Sequence, residues 1–306
     1  MEEYMLLSAG RYAKSGMQDQ IFQIVIYAGL FVAGILALYP LIFVLSASIS
    51  DPTAVNSGQV ILWPVGMQLD GYKLLFRSPW IMIGYRNSLY YTVFGTTLNV
   101  SITFMAGFAL SRKDLYGRGV ITIFMVFTMW FSGGLIPTFL IVKNLNLVDT
   151  PYVLIVMGAI SMYNTIICRT YIQNAIPGEL QEAARVDGCS DFGILFRVVL
   201  PLSAPILAIL ALYYALGHWN SYFNGLIYLN KRQYQPLQIF LREILVQNQN
   251  IDLNDMTDFE TAFERTRIAQ VMKYSLIVVA SIPMLIIYPF VQKYFVKGVM
   301  IGAIKG

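Results

Sequence analysis

Between Glu179 and Pro201 a polar interval, ELQEAARVDGCSDFGILFRVVLP, interrupts a chain otherwise dominated by long apolar runs. Its residue types are not those of a reaction centre. No Asp-x-Asp or carboxylate pair stands at the end of an apolar run, and neither Cys168 nor Cys189 has metal-ligand company, so no metal site is expected. What the pattern offers is mechanical. Pro177 suits the first position of a helix, Glu179 falls in the first turn where the dipole favours an acid, and Gly188 can end the helix. Between them Ala183 and Ala184 leave a smooth small-residue face, with Leu180, Arg185 and Val186 around it. A second helix starts at Ser190 or Asp191 and carries Phe192, Leu195, Phe196 and Val199 as an apolar stripe at helical spacing. Two short helices bent at a glycine make a compact knob, a shape suited to being held by another protein. The plain alternative is a solvated connector.

The elements that position this knob are membrane spans. Of 306 residues, 57% are hydrophobic and 12% charged, with mean hydropathy +0.61. A soluble domain carries about a quarter charged residues, so the chain reads as a polytopic, all-α membrane protein. Residues 1–20 are polar, and the apolar run that follows is too long for a signal peptide. Six transmembrane helices are expected, at about 21–49, 87–110, 119–142, 151–168, 200–229 and 273–292, within a membrane domain of 21–296. The third contains Gly133-Gly134 and Pro137, which predicts a break near its middle. The knob occupies 177–199, a long polar segment 230–272, and a tail 293–306. A net charge of +4 without basic-aromatic alternation gives no sign of a nucleic-acid partner, and two cysteines facing the reducing side make no disulfide framework.

The absences concern energy. The six expected spans contain no Asp or Glu, and their one ionisable group of note is His218. Ion-driven pumps carry intramembrane carboxylates as relays, so a carboxylate relay is excluded. There is no G-x-x-x-x-G-K-[ST] loop to cradle ATP phosphates either. Uphill transport through this chain would need free energy from another subunit. Lysines and arginines, counted per residue of loop, favour a cytoplasmic knob and cytoplasmic termini.

Glu182-Ala183-Ala184, then Gly188 after three residues, then Val198-Val199-Leu200-Pro201 after nine more, resembles the EAA signature of ATP-binding-cassette importer permeases. The one departure is Val198 for the usual Ile. The tail Tyr294-Phe295-Val296-Lys297-Gly298 to Gly302-Ala303-Ile304-Lys305-Gly306 is similar to that of the carbohydrate-uptake permeases, the group containing the smaller maltose permease subunit. Within it the chain is more similar to permeases for complex oligosaccharides and polysaccharides.

The resemblance implies a type I importer fold in a bacterial cell membrane, with the knob as coupling helices docked in a cleft of an ATPase. It assigns coupling to Glu182, Ala183, Ala184, Asp187, Gly188, Leu200 and Pro201, and ATPase contact to Lys297, Gly298 and Lys305 in the tail. The implied partners are a second homologous permease, two ATPase subunits that hold the ATP and Mg, a solute-binding protein outside, and the lipid bilayer. This chain itself would be non-catalytic and hold no cofactor.

Sugar sites set aromatic faces against the apolar side of pyranose rings, with amides and hydroxyls on the ring oxygens. Tyr213, Tyr214, His218, Trp219, Asn220 and Tyr222 fit that chemistry, although Trp and Tyr also belong at membrane interfaces. The 230–272 segment corresponds to the family's loop into the binding protein, with Tyr234, Gln235, Gln238 and Arg242 as contacts. The spans show essentially no basic groups, which favours a neutral sugar over an anion such as glycerol 3-phosphate, although loops such as Lys231-Arg232 could handle a charged polysaccharide. A membrane-embedded glycan-processing enzyme is the alternative of another class.

Overall fold

The computed structural model describes residues 17–247, 270–289 and 292, and every regular element among them is helical. The first helix, α1 (Met17–Ser48), is 32 residues long with Pro40 inside it. Its most apolar window has a mean hydropathy of 2.4, and none of that window is buried against the rest of the chain. Leu, Ile, Val and Phe occur on every side, so no single stripe selects a protein neighbour. Only its end is tied down. The Tyr72 hydroxyl donates to Ser48 Oγ (2.8 Å) and Ser275 Oγ donates to the Ser48 carbonyl (3.1 Å).

The stretch 50–85, loop-like in sequence, contains α2 (Pro52–Asn56) and α3 (Asp70–Arg77). It also contains the start of α4 (Pro79–Ser111). Helix α4 begins well before the expected residue 87. Pro79 takes the first helical position, where its missing N–H costs nothing, and Arg86-Asn87-Ser88 interrupt the apolar pattern after Trp80-Ile81-Met82-Ile83, so hydropathy starts the span too late.

This helix is the centre of the bundle, packing on α8 (Met162–Ala175), α11 (Ala204–Trp219) and α13 (Leu237–Gln247). Its buried seam is small and polar: Ser88, Thr92, Gly95, Asn99, Thr103 and Gly107, spaced by three or four. Lipid tails are as apolar as leucine, so helices in a membrane are held by close approach and interhelical hydrogen bonds instead. Both are present. A Cβ at Gly95 would collide with the His218 ring, and one at Gly107 would stand 2.7 Å from Cys168 Sγ. Thr103 Oγ1 lies 2.6 Å from the Tyr214 hydroxyl, and Asn99 Nδ2 donates to the Gly158 carbonyl (3.2 Å).

The expected break at Gly133-Gly134 separates α5 (Arg118–Trp130) from α6 (Leu135–Asn144), with a bend of 114°. The stretch 151–168 is parted into α7 (Val153–Val156) and the first half of α8. Beyond the knob helix α9 (Gly178–Val186), α10 (Asp191–Leu202) meets α11 at 83°. Next come α12 (Tyr222–Tyr228), a 3-10 turn at Arg232–Tyr234, α13 and α14 (Gln270–Pro289). By length and composition, α1, α4 and α14 can each cross a membrane, and the bent pairs α5–α6 and α10–α11 raise the number to five. The expected fourth span has no single helix of spanning length.

Candidate functional site

The knob folds much as its local chemistry dictates. Pro177 precedes the first helical residue rather than occupying it, and Glu179 lies in the first turn of α9. Gly188 has φ +79°, a left-handed conformation costly to any residue with a Cβ. Its N–H donates to the Arg185 carbonyl (2.9 Å), and the Cys189 N–H donates to that of Ala184 (2.9 Å), closing α9. Ser190 caps α10 by accepting from the Gly193 N–H (3.2 Å). A π turn at Leu195–Val199 then carries the chain into Leu200 and Pro201.

The two alanines part company. Ala184 is buried in a cluster with Ile172, Ile176, Ile194, Leu195 and Val199, while Ala183 is exposed. The apolar stripe divides likewise. Leu195 and Val199 enter the core, whereas Phe192 is 71% exposed and Val186 88%. The knob is therefore continuous with the hydrophobic core on one side and presents Ala183, Val186 and Phe192 on the other. The reason is geometric: Gly188 folds α9 onto α10, so α9 closes against the bundle through Ala184 and α10 through Ile194, Leu195 and Val199.

A charge network not anticipated from the sequence fixes the root of the knob. Arg112 at the end of α4 binds Asp114 through both Nε (2.9 Å) and Nη2 (2.7 Å), and its Nη1 lies 3.2 Å from Asp191. Arg185 on α9 reaches the same two acids, at 2.6 Å and 3.4 Å. Bidentate contact from Arg112 holds the Asp114 carboxyl below its ordinary range. The sequence signal was the Arg112-Lys113-Asp114 turn, which reads as orientation charge until folding places it beside the knob. A cavity of about 520 Å³ opens here, lined by Arg112, Lys113, Arg118, Gln181, Glu182 and Arg185. Glu182 forms no ion pair among the described residues. Lys297, Gly298 and Lys305 lie outside the described residues.

From the knob cluster, which includes Tyr214, along α4 towards its other end, the aromatic and amide residues fall into two groups. Tyr214, His218 and Trp219 are buried. Tyr214 also accepts from the Ser161 N–H (3.1 Å), and Trp219 Nε1 donates to the Ala280 carbonyl (2.9 Å), joining α11 to α14. These three are packed between helices and leave no ring face open to a solute. Tyr213 and Asn220 are exposed, and Tyr222 lies beneath the Arg242 guanidinium at 5.4 Å. Gln235 donates to the Leu229 carbonyl (3.1 Å), and Gln238 is half-buried on α13. Tyr234 lines a separate cleft of about 470 Å³ with Arg86, Asn87, Tyr90, Tyr91, Pro151 and Gln233. At about 1.5 Å per residue, α4 carries Arg86 roughly 39 Å from Arg112, more than the ~30 Å of a hydrocarbon core. Knob and cleft thus stand at opposite ends of the bundle.

The chain matches the family of binding-protein-dependent transport system inner membrane components over residues 81–301. It is 39% identical over 292 residues to the polygalacturonan/rhamnogalacturonan transport system permease protein YtcP of Bacillus subtilis (strain 168), covering 95% of this chain and 100% of that one. Protein LplC of the same organism is 35% identical over 295 residues, covering 96% and 97%. Among solved structures, a bacterial ABC transporter involved in the import of the acidic polysaccharide alginate superposes with TM-score 0.81 at 35% identity, covering 92% of this chain and 98% of its own. This chain, helical in every regular element among its described residues and carrying the EAA-spaced knob, belongs to the family of binding-protein-dependent transport system inner membrane components.

Proposed function

We propose that this chain is the permease subunit of an ATP-driven importer of oligosaccharides or polysaccharide fragments, and that the knob converts ATPase closure into alternating access. The carrying observation is that the knob shares a hydrophobic cluster with α4, α8 and α11. Ala184, Ile194, Leu195 and Val199 are buried in it, and a close-packed interior transmits displacement rather than absorbing it. Arg112 adds a second link from the end of α4, directly to Asp191 on α10 and through Asp114 to Arg185 on α9. A pull on Ala183, Val186 and Phe192 would therefore tilt helices, whereas a floppy connector would merely uncoil.

On this reading a separate ATPase pair holds ATP and Mg, and this chain contributes no catalytic residue and no cofactor. The knob and both termini face the cytosol, and the 230–272 segment meets a solute-binding protein outside. The apolar surface of α1 faces lipid and a second, homologous permease. Relatives acting on acidic and other complex polysaccharides support the cargo class.

The test is Gly188→Pro in the assembled complex. Proline cannot adopt φ +79° and removes the N–H donated to Arg185. Membrane insertion and subunit assembly should persist while saccharide-stimulated ATP hydrolysis disappears. Undiminished stimulation in an assembled Gly188→Pro complex overturns the proposal.

A further inference from the structure

We propose that the cleft at the far end of α4 is a recognition subsite for an acidic sugar, in which the Arg86 guanidinium takes the carboxylate of a uronate residue. The inference rests on the import reading above and names the substrate class.

The cleft is built by two pairs of residues at i and i+4 on one helix. Asn87 and Tyr91 form the holding pair. Asn87 Nδ2 donates to the carbonyls of Gln233 (2.8 Å) and Gln235 (3.0 Å), and the Tyr91 hydroxyl donates to that of Tyr234 (2.7 Å). Both side chains are buried, and together they pin the 3-10 turn to α4. Arg86 and Tyr90 form the other pair, one position back, and face open space. Tyr90 is 37% exposed, stands edge-on to Tyr91 with ring centroids 5.7 Å apart, and packs at a tilt against Phe94 at 4.6 Å. The pinned turn sets Gln233 and Tyr234 across the cleft from them.

Arg77, Lys143 and Lys231 at this end are exposed without an ion-pair or ring partner among the described residues, but of the unpartnered cations it is Arg86 that lines the cleft. Lys73 pairs with Asp70 at 3.0 Å, and Arg232 pairs with Glu243 at 3.2 Å while lying over Trp80 and Phe240. Arg242 covers Tyr222. Arg86 is exposed, lines the cleft, and has neither acid nor ring partner among the described residues. A planar guanidinium has five donors matched to a carboxylate. Tyrosine faces suit the apolar side of a pyranose, and the Gln233 amide suits ring hydroxyls. The volume of about 470 Å³ is that of a small-ligand site rather than a protein–protein footprint. The expectation of a neutral cargo rested on spans without basic groups. Arg86 escaped it by lying one residue before the expected second span, although it belongs to α4.

The discriminating cargo is one backbone in two charge states: an oligogalacturonide with free carboxylates and the same oligomer methyl-esterified. Uptake and stimulated ATP hydrolysis are measured on the whole complex in proteoliposomes with saturating binding protein, for wild type, Arg86→Gln and Arg86→Lys. Wild type should prefer the acid. Arg86→Gln should raise KM for the acid about tenfold and leave the ester unchanged, because a charge-assisted hydrogen bond is lost only with the former. Arg86→Lys should recover part of the preference. Equal loss on both cargoes, relieved by more binding protein, would make Arg86 a docking contact for a carboxylate of that protein and overturn the proposal. A change in neither would leave Arg86 to lipid headgroups and also overturn it. A wild type that imports the ester but gains nothing from free carboxylates defeats this inference alone. A wild type stimulated by no saccharide defeats the import reading with it.

Discussion

The two ends of α4 treat charge in opposite ways. At the Arg112 end two arginines and two aspartates satisfy one another, and the Arg112 side chain is only 11% exposed. At the Arg86 end an exposed guanidinium faces a cleft with no counter-charge among the described residues. Paired charges in a partly buried setting fix geometry, since removing one strands the others. An unpaired charge beside aromatic faces is available to a ligand. The same helix is thus clamped where force would enter and left open where solute would arrive.

The largest effect should come from the two alanines. Ala184→Asp places a charge within the cluster of Ile172, Ile194 and Val199 and should destabilise the knob by several kcal/mol, read as a lowered Tm of the complex. Ala183→Asp should leave Tm within a degree or two while suppressing stimulated ATP hydrolysis, because that residue is exposed. Equal thermal penalties would erase the distinction between held and presented faces.

Next is Arg112→Ala, which leaves Asp114 and Asp191 facing each other with Arg185 alone between them. Stimulated hydrolysis should fall about tenfold with binding-protein affinity unchanged. A normal rate would confine transmission to the apolar cluster.

At the opposite end, Tyr91→Phe removes one buried hydrogen bond to the Tyr234 carbonyl, at about 1 kcal/mol. Saccharide selectivity should loosen a few-fold while basal ATP hydrolysis holds. Loss of basal hydrolysis instead would mean the two ends are not separable.

The smallest effect is one of pH. The folded Asp114 carboxyl titrates below its ordinary value of 3.8, so its contribution is complete above that value and fades as pH falls through the depressed one. Half exposure and solvent screening keep it modest. Stability of the assembled knob, followed by protease accessibility between pH 6 and 3, should decline at the acid end in wild type and less so in Asp114→Asn. Identical profiles would remove Asp114 from the network's energetics.

Much of this was legible in the chain. The helix stop at Gly188, the acid in the first turn of α9 and the cap at Ser190 are local events, set within a few residues by φ preferences and orphan backbone groups. The apolar runs of α1 and α14 and the break at Gly133-Gly134 are local too. Boundaries resisted where polar residues stand inside a helix, as Arg86-Asn87-Ser88 do in α4 between an apolar first turn and the main apolar run. The stretch 151–168 resisted for the converse reason, since hydropathy sees an apolar run and not the turn at Met157–Ser161.

Composition and spacing by themselves determined that this is a helical membrane chain with an EAA-spaced polar interval between its apolar runs. Those are properties of short windows. Which alanine is hidden, which arginines are matched and which tyrosine stays partly exposed was decided only by tertiary structure. Each depends on partners scores of residues away: Arg185 against Asp114, Asn87 against the Gln233 carbonyl, Gly95 against His218. No local rule contains such pairings, because burial and charge compensation belong to the assembled bundle rather than to any one helix.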